Sequence, residues 1–177
     1  MKILLAPDPF LKKVASPVQK YDKKLQSQID DMIKTLKAAE DPEGVGLAAT
    51  QVGLDRRLLI LNLKGHIEVI INPEIVSKSE ATLAQIYKKA KDRWLEGCLS
   101  LPRLWGFVDR PYWVEVCYQT VKDKSFVSKT RRFEDVESSY FLHEYDHLEG
   151  ILFTDRILEQ KGKIFQETPD GLTPINQ

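Results

Sequence analysis

The densest chemistry in this chain lies in one pentapeptide, His143-Glu144-Tyr145-Asp146-His147. Two histidines at i and i+4 sit one helical turn apart on the same face, so both imidazoles can meet a single metal ion. Glu144 beside the first is a candidate general base for a water activated there. These are two of the three histidines in the sequence, the third being His66. That scarcity, and the apolar approach Tyr140-Phe141-Leu142, favour a metal site over a surface His-Glu pair. A catalytic metal needs a third protein ligand and an open position. Six residues past His147, where one group of zinc peptidases has a histidine, stands Phe153, while Glu159 and Glu167 remain as carboxylate alternatives. The better candidate is Cys98 in Glu96-Gly97-Cys98-Leu99-Ser100-Leu101-Pro102. A thiolate suits a borderline-soft ion, Gly97 permits unusual backbone angles, and Pro102 stiffens the exit. Cys117, alternating with Val116 in a strand-like run, reads instead as a small buried hydrophobe.

A third segment, Gly44-Val45-Gly46-Leu47-Ala48-Ala49-Thr50-Gln51, lacks the continuation of a phosphate loop. Its small residues let a substrate backbone come close. Gln51 offers two amide N–H donors without a charge and without competing for the metal.

Elements must hold these three segments together. Leu25, Ile29, Met32, Ile33 and Leu36 predict an amphipathic helix over about 22–39, stopped by Asp41-Pro42. Residues 58–63 and 67–71 read as strands around Lys64-Gly65, the second broken by Asn72-Pro73. Residues 79–93, with Leu83, Ile86, Tyr87 and Ala90 among lysines, carry a weak helical pattern. Residues 112–119 alternate as a half-buried strand, and Lys122-Asp123-Lys124 turns it into a partner over 126–133. A second helix, 134–148, runs without Pro or Gly and is closed by Gly150. There is no regular βαβ rhythm, so the expected class is α+β.

The length, 177 residues, fits one domain over 1–177. Lys plus Arg is 26 and Asp plus Glu is 26, so the basic excess of a nucleic-acid binder is missing. No run approaches the ~20 apolar residues of a membrane span, and no signal-peptide pattern opens the chain. Two cysteines are too few for a disulfide framework and fit a reducing compartment or a metal site. A cytoplasmic protein is expected.

Taken together, the Gly44–Gln51, Glu96–Ser100 and His143–His147 segments resemble the three signature motifs of peptide deformylases, in that family's order. Pro7-Asp8-Pro9 with Leu11 and Val14-Ala15, Asn72-Pro73, Arg110-Pro111 and Gly150-Ile151-Leu152-Phe153 extend the resemblance over nearly the whole chain. It implies a compact α+β domain with small antiparallel or mixed sheets around a central C-terminal helix. It implies removal of the N-formyl group from N-formyl-methionyl nascent peptides, with release of formate. By resemblance, Cys98, His143 and His147 match the metal ligands and Glu144 the catalytic carboxylate. Gln51 matches the side chain on the formyl oxygen, joined by the backbone N–H of Leu99. Gly46 and its neighbours Gly44 and Val45 match the segment that pairs with the substrate backbone. Val45, Val136 and Tyr140 are the candidates for the pocket of the first side chain. The family's usual ion is Fe²⁺, with Zn²⁺, Ni²⁺ or Co²⁺ able to replace it; a Cys-His-His set by itself points to zinc. The implied partners are an N-formylated nascent peptide and, transiently, the ribosome; neither nucleic acid nor membrane is expected, and the chain should be a monomer.

This sequence departs from the family pattern in three places. The 79–93 segment is longer than expected before the cysteine motif. Tyr140 stands on the face of His143 where a small or aliphatic residue is expected. The tail after Arg156 shows no long basic helix, so the resemblance supplies no residues for ribosome contact. Two competing readings are a metallopeptidase with the same helix motif, which needs a downstream third ligand, and a catalytically silent protein that keeps the fold.

Overall fold

The computed structural model describes residues 1–40 and 44–175. Among these residues, helices α1 (Lys23–Lys37), α2 (Leu83–Ile86), α3 (Val136–Leu148) and α4 (Phe153–Glu159) accompany nine strands. The first sheet has the order β1-β2-β3-β6-β7. Its strands are β1 (Gly46–Ala48), β2 (Leu58–Leu63), β3 (His66–Lys78), β6 (Trp113–Lys122) and β7 (Ser125–Glu134). The second has the order β4-β5-β8-β9, built from β4 (Glu96–Cys98), β5 (Leu101–Gly106), β8 (Ile164–Thr168) and β9 (Gly171–Pro174). Every pairing in both sheets is antiparallel. The fold is α+β, as expected.

The apolar run of β2 is explained by burial on both faces. Leu58 and Ile60 pack with Leu25, Ile29, Met32 and Leu36 of α1. Leu59 and Leu61, alternating with them, pack with Phe141, Leu142 and Leu148 of α3. The first sheet is thus a layer between α1 and α3, and Phe133 of β7 stacks on Phe141 with ring centroids 4.9 Å apart. A third cluster, Leu11, Cys98, Leu101, Val108, Leu152, Phe153 and Ile157, joins the second sheet to α4.

Helix α1 begins where Asp22 accepts a hydrogen bond from the Leu25 N–H. It ends at Lys37; the expected stop at Asp41-Pro42 lies outside the described residues. The β6–β7 hairpin turns on Asp123 and Lys124, both at positive φ, the geometry whose twist matches the strands. Helix α3 starts two residues later than expected, because Phe133 and Glu134 stay in the ladder opposite Val114 and Trp113.

Three expectations need correction. Asn72-Pro73 does not end the second strand: β3 passes through it with a register shift between Ile71 and Glu74, Asn72 taking a positive φ. Its side chain bonds both the N–H and the carbonyl of Val18, tying the N-terminal segment to the sheet. Residues 79–93 form only the single turn α2 and a 3₁₀ turn over Ala90–Asp92. There the Arg93 guanidinium donates to the carbonyls of Ala84, Tyr87 and Lys88, acceptors that a longer helix would use internally. Cys117 is half-exposed beside Thr130, on the face opposite buried Val116. The tail after α4 is a β8–β9 hairpin that extends the second sheet through β5. No helix among the described residues is long and apolar enough to cross a membrane.

Candidate metal centre

Helix α3 packs against β1 and β2 and carries His143, Glu144 and His147 on its buried side. The single turn between the histidines brings their ring centroids to 5.1 Å. From the second sheet, β4 delivers Cys98, whose Sγ lies 3.2 Å from His147 Nε2. One ligand atom from each of Cys98, His143 and His147 lies within 4.8 Å of the others. One sulfur and two imidazole nitrogens suit a borderline-soft divalent ion, and three donors leave a tetrahedral ion one position for water or substrate. The carboxylate alternatives are elsewhere: Glu159 pairs with Arg156, and Glu167 accepts from Trp105 Nε1–H.

His143, the first histidine of the donor set, is oriented by charges that no sequence pattern singles out. Its Nδ1 lies 2.9 Å from Glu96 Oε2. With that nitrogen donating to the carboxylate, Nε2 keeps a lone pair for a metal. Glu96 is gripped by Arg110 through Nε at 2.6 Å and Nη2 at 2.9 Å, and by the Ser139 hydroxyl at 2.9 Å. Arg110 also donates to Asp146 at 2.9 Å, and Arg156 reaches the other oxygen of Asp146 at 2.7 Å. Two carboxylates and two guanidiniums balance, three of the four being buried. Burial alone would raise the Glu96 carboxyl, but the Arg110 charge and its hydrogen bonds outweigh that and hold it at about 2. Glu96 stood inside the cysteine motif and Arg110 in an Arg-Pro pair, but nothing in the sequence joined them to Asp146 or to each other.

Burial pushes the His147 imidazole well below its usual range, with the His143 charge adding to the shift, so it is neutral, the form that binds metal. His143 behaves oppositely. Burial works against its charge, but its hydrogen bonds with Cys98 and Glu96 prevail and raise it well above the usual value. Protons and a metal ion compete for this imidazole.

Gln51 sits in a 3₁₀ turn over Ala49–Val52 that follows β1 directly. Its Oε1 accepts from the Ala48 N–H at 2.8 Å, which turns the amide NH₂ inward. That NH₂ lies 3.2 Å from Ser100 Oγ and 3.6 Å from Cys98 Sγ. Glu144 is 5% exposed, and burial pushes its carboxyl up to about 7. Its Oε2 is buried without a hydrogen-bond partner among the described residues. Gly46 leaves it room: a Cβ there would lie 2.6 Å from Glu144 Cγ and closer still to Oε1.

These groups surround a cavity of about 260 Å³. Val45, Gly46, Gln51, Glu96, Cys98, Leu99, Tyr140, His143 and Glu144 line it, together with Leu95, Gly97, Trp105 and Ser139. Three predicted residues are not among them: Gly44, Val136 and His147, the last fully buried with its Nε2 3.2 Å from Cys98 Sγ. Gly44 packs on α1, where a Cβ would lie 2.7 Å from the Leu36 carbonyl oxygen, so helix packing explains its size. Val136 is the first residue of α3. Seven residues before His143 it is displaced ~10 Å along the axis, and Ser139 and Tyr140, one turn away, line the cavity instead.

The family model for polypeptide deformylase matches residues 1–163. A peptide deformylase of Bartonella tribocorum is 38% identical over 162 residues, covering 88% of this chain and 83% of that protein. Peptide deformylase 1 of Clostridium acetobutylicum is 39% identical over 155 residues, covering 88% of this chain and 93% of that one. The crystal structure of the Thermotoga maritima peptide deformylase superposes with a TM-score of 0.74 at 34% identity, covering 88% of this chain and 95% of that one. The inhibitor complex of Arabidopsis thaliana peptide deformylase 1B gives 0.76 at 31% identity, covering 90% of this chain and 83% of that one.

Proposed function

Since the chain belongs to the peptide deformylase family, we infer that this cavity removes the formyl group from N-formylated nascent peptides, with Cys98, His143 and His147 holding one metal ion. The observation that carries the reading is the convergence of that donor set, the Glu144 carboxylate and the inward amide of Gln51 on one small cavity. A bound divalent ion supplies Lewis acidity, lowering the pKa of water from 15.7 toward ~7.

The chain's own groups do the rest. Glu144 takes the proton from the attacking water and returns it to the leaving amine. The Gln51 NH₂ and the Leu99 N–H donate to the oxygen on which negative charge builds. Glu96 keeps His143 in the tautomer that ligates. The substrate lies extended across the cavity, because β1 and β4 are each the terminal strand of their sheet and both border it. Val45 and Tyr140, joined by Leu95, frame the pocket for the first side chain. At about 260 Å³ the cavity is smaller than the ~300–1,000 Å³ usual for drug-sized ligands. It suits one residue with its formyl cap.

The resident ion in this reading is Fe²⁺, and the protein is one domain acting as a cytoplasmic monomer that meets the ribosome transiently. The support for these finer points is the family resemblance. The test is formate release from formyl-Met-Ala-Ser by anaerobically purified protein. Rapid release, with unformylated Met-Ala-Ser left intact, is expected; cleavage of the unformylated peptide without formate production would favour a peptidase.

A further inference from the structure

The residues around the cavity divide by exposure. Gln51, Glu96, Cys98, Ser139, His143 and Glu144 are buried and form the floor. The other seven lining residues, Leu99 and Trp105 among them, are half-buried and lie toward the mouth. Trp105 is held there from two sides. On β4 its cross-strand neighbour is Gly97, and a Cβ on Gly97 would lie 2.7 Å from the six-membered ring, so the indole rests on bare backbone beside Cys98. On the other side β8 pairs Phe165 with Trp105, and Glu167, two residues on, accepts the indole N–H at 3.0 Å. With its one polar atom engaged, the ring presents apolar surface to the cavity. Glu167 belongs to the C-terminal hairpin and lies beyond residue 163, where the family match stops. It was also one of the two carboxylates left over once Cys98 completed the donor set.

Resting on the deformylase reading, we propose that Trp105 is a specificity-determining residue for the peptide beyond its formylated end, and that Glu167 is the positioning residue that holds its indole at the mouth. A cavity sized for one residue sends the following side chains past this wall. An indole favours large apolar or aromatic side chains there over small ones. The C-terminal hairpin thereby acts on substrate choice without touching the reacting atoms.

The test compares kcat/KM for formyl-Met-Ala-Ser, formyl-Met-Phe-Ser, formyl-Met-Ala-Phe and formyl-methionine amide. The proteins are wild type, Trp105→Ala, Trp105→Phe, Glu167→Ala and Glu167→Gln. The wild type should prefer phenylalanine at one of the two positions by roughly tenfold, through KM. Trp105→Ala should abolish the preference and Trp105→Phe keep most of it. Glu167→Ala should lower it about threefold, the scale of one hydrogen bond, and Glu167→Gln should restore it. Formyl-methionine amide should be affected less than the tripeptides in every variant. Independently of turnover, the product tripeptide Met-Phe-Ser should shift tryptophan emission in the wild type and not in Trp105→Phe. Brisk formate release with no phenylalanine preference, or a preference that survives in Trp105→Ala, overturns the proposal. So does a loss as large for formyl-methionine amide as for the tripeptides. No formate from any substrate by metal-loaded wild type would overturn the deformylase reading itself, and this proposal with it.

Discussion

Replacing Gly46 by alanine adds one methyl group, and the structure says where it goes. The backbone of Gly46 is not among the positive-φ glycines, so alanine is tolerated conformationally. The new Cβ, however, lands 2.6 Å from Glu144 Cγ. Ordinary carbon contacts are ~3.5–4.0 Å, so the side chain must move by roughly 1 Å. Glu144 is 5% exposed on a helix packed against β1 and β2, which leaves it little freedom to give way. A displacement of that size at a reacting group costs about 10²-fold in rate, and crowding in a packed interior costs ~1–3 kcal/mol of stability. The methyl contacts only Glu144 among the nearest atoms, so the three metal donors stay in place. The expected result for Gly46→Ala is full metal content, kcat down about 10²-fold on formyl-Met-Ala-Ser, and a slightly lower melting temperature. The assay couples formate release to formate dehydrogenase, with metal analysis on the same sample. A kcat within threefold of wild type at full metal content would refute the claim that Glu144 must sit where Gly46 lets it.

Gln51→Ala should lose ~10²–10³ in kcat on formyl-Met-Ala-Ser with metal retained, the cost of one oxyanion donor; a near-normal kcat would remove Gln51 from that role. Glu96→Ala leaves Arg110 short of its bidentate partner in the interior, and should cost ~3–5 kcal/mol in urea unfolding; a loss below 1 kcal/mol would mean the network is not buried as described. Glu96 also predicts acid sensitivity. Its folded value, about 2, lies below the ordinary 4.5, so its contribution is complete above ~4.5 and is lost as pH falls toward 2. The shift corresponds to ~3 kcal/mol. Urea melts of the chelator-treated protein at pH 6 and pH 3 should show about 2 kcal/mol of that loss in wild type, the rest coming only toward pH 2, and a smaller one in Glu96→Gln; equal losses would contradict it.

Much of this site is legible from periodicity alone. His143 and His147 declare themselves because 3.6 residues per turn puts i and i+4 on one face. Cys98 stands out because glycine and proline frame it. The amphipathic α1 and the alternation of β6 follow from burial on a single face. What stayed hidden depends on contacts between distant segments. Glu96 meets Arg110, His143 and Asp146 only after two sheets and a helix have come together. Val136 shares a helical face with His143, yet two turns of rise carry it away from the cavity. The β8–β9 hairpin is short and largely exposed, with β5 as its support, so it leaves no strong pattern in the sequence. The 79–93 segment has a helical spacing, but of its larger apolar residues Leu83 is buried while Ile86 is exposed and Tyr87 half-buried, and Arg93 takes up its carbonyls.

The central claim is that Cys98, His143 and His147 hold one divalent ion and that Glu144 does not. Metal stoichiometry of anaerobically purified wild type, His143→Ala and Glu144→Ala tests it most directly. About one ion per chain is expected in wild type and in Glu144→Ala, and close to none in His143→Ala. Metal retained in His143→Ala and lost in Glu144→Ala would contradict it.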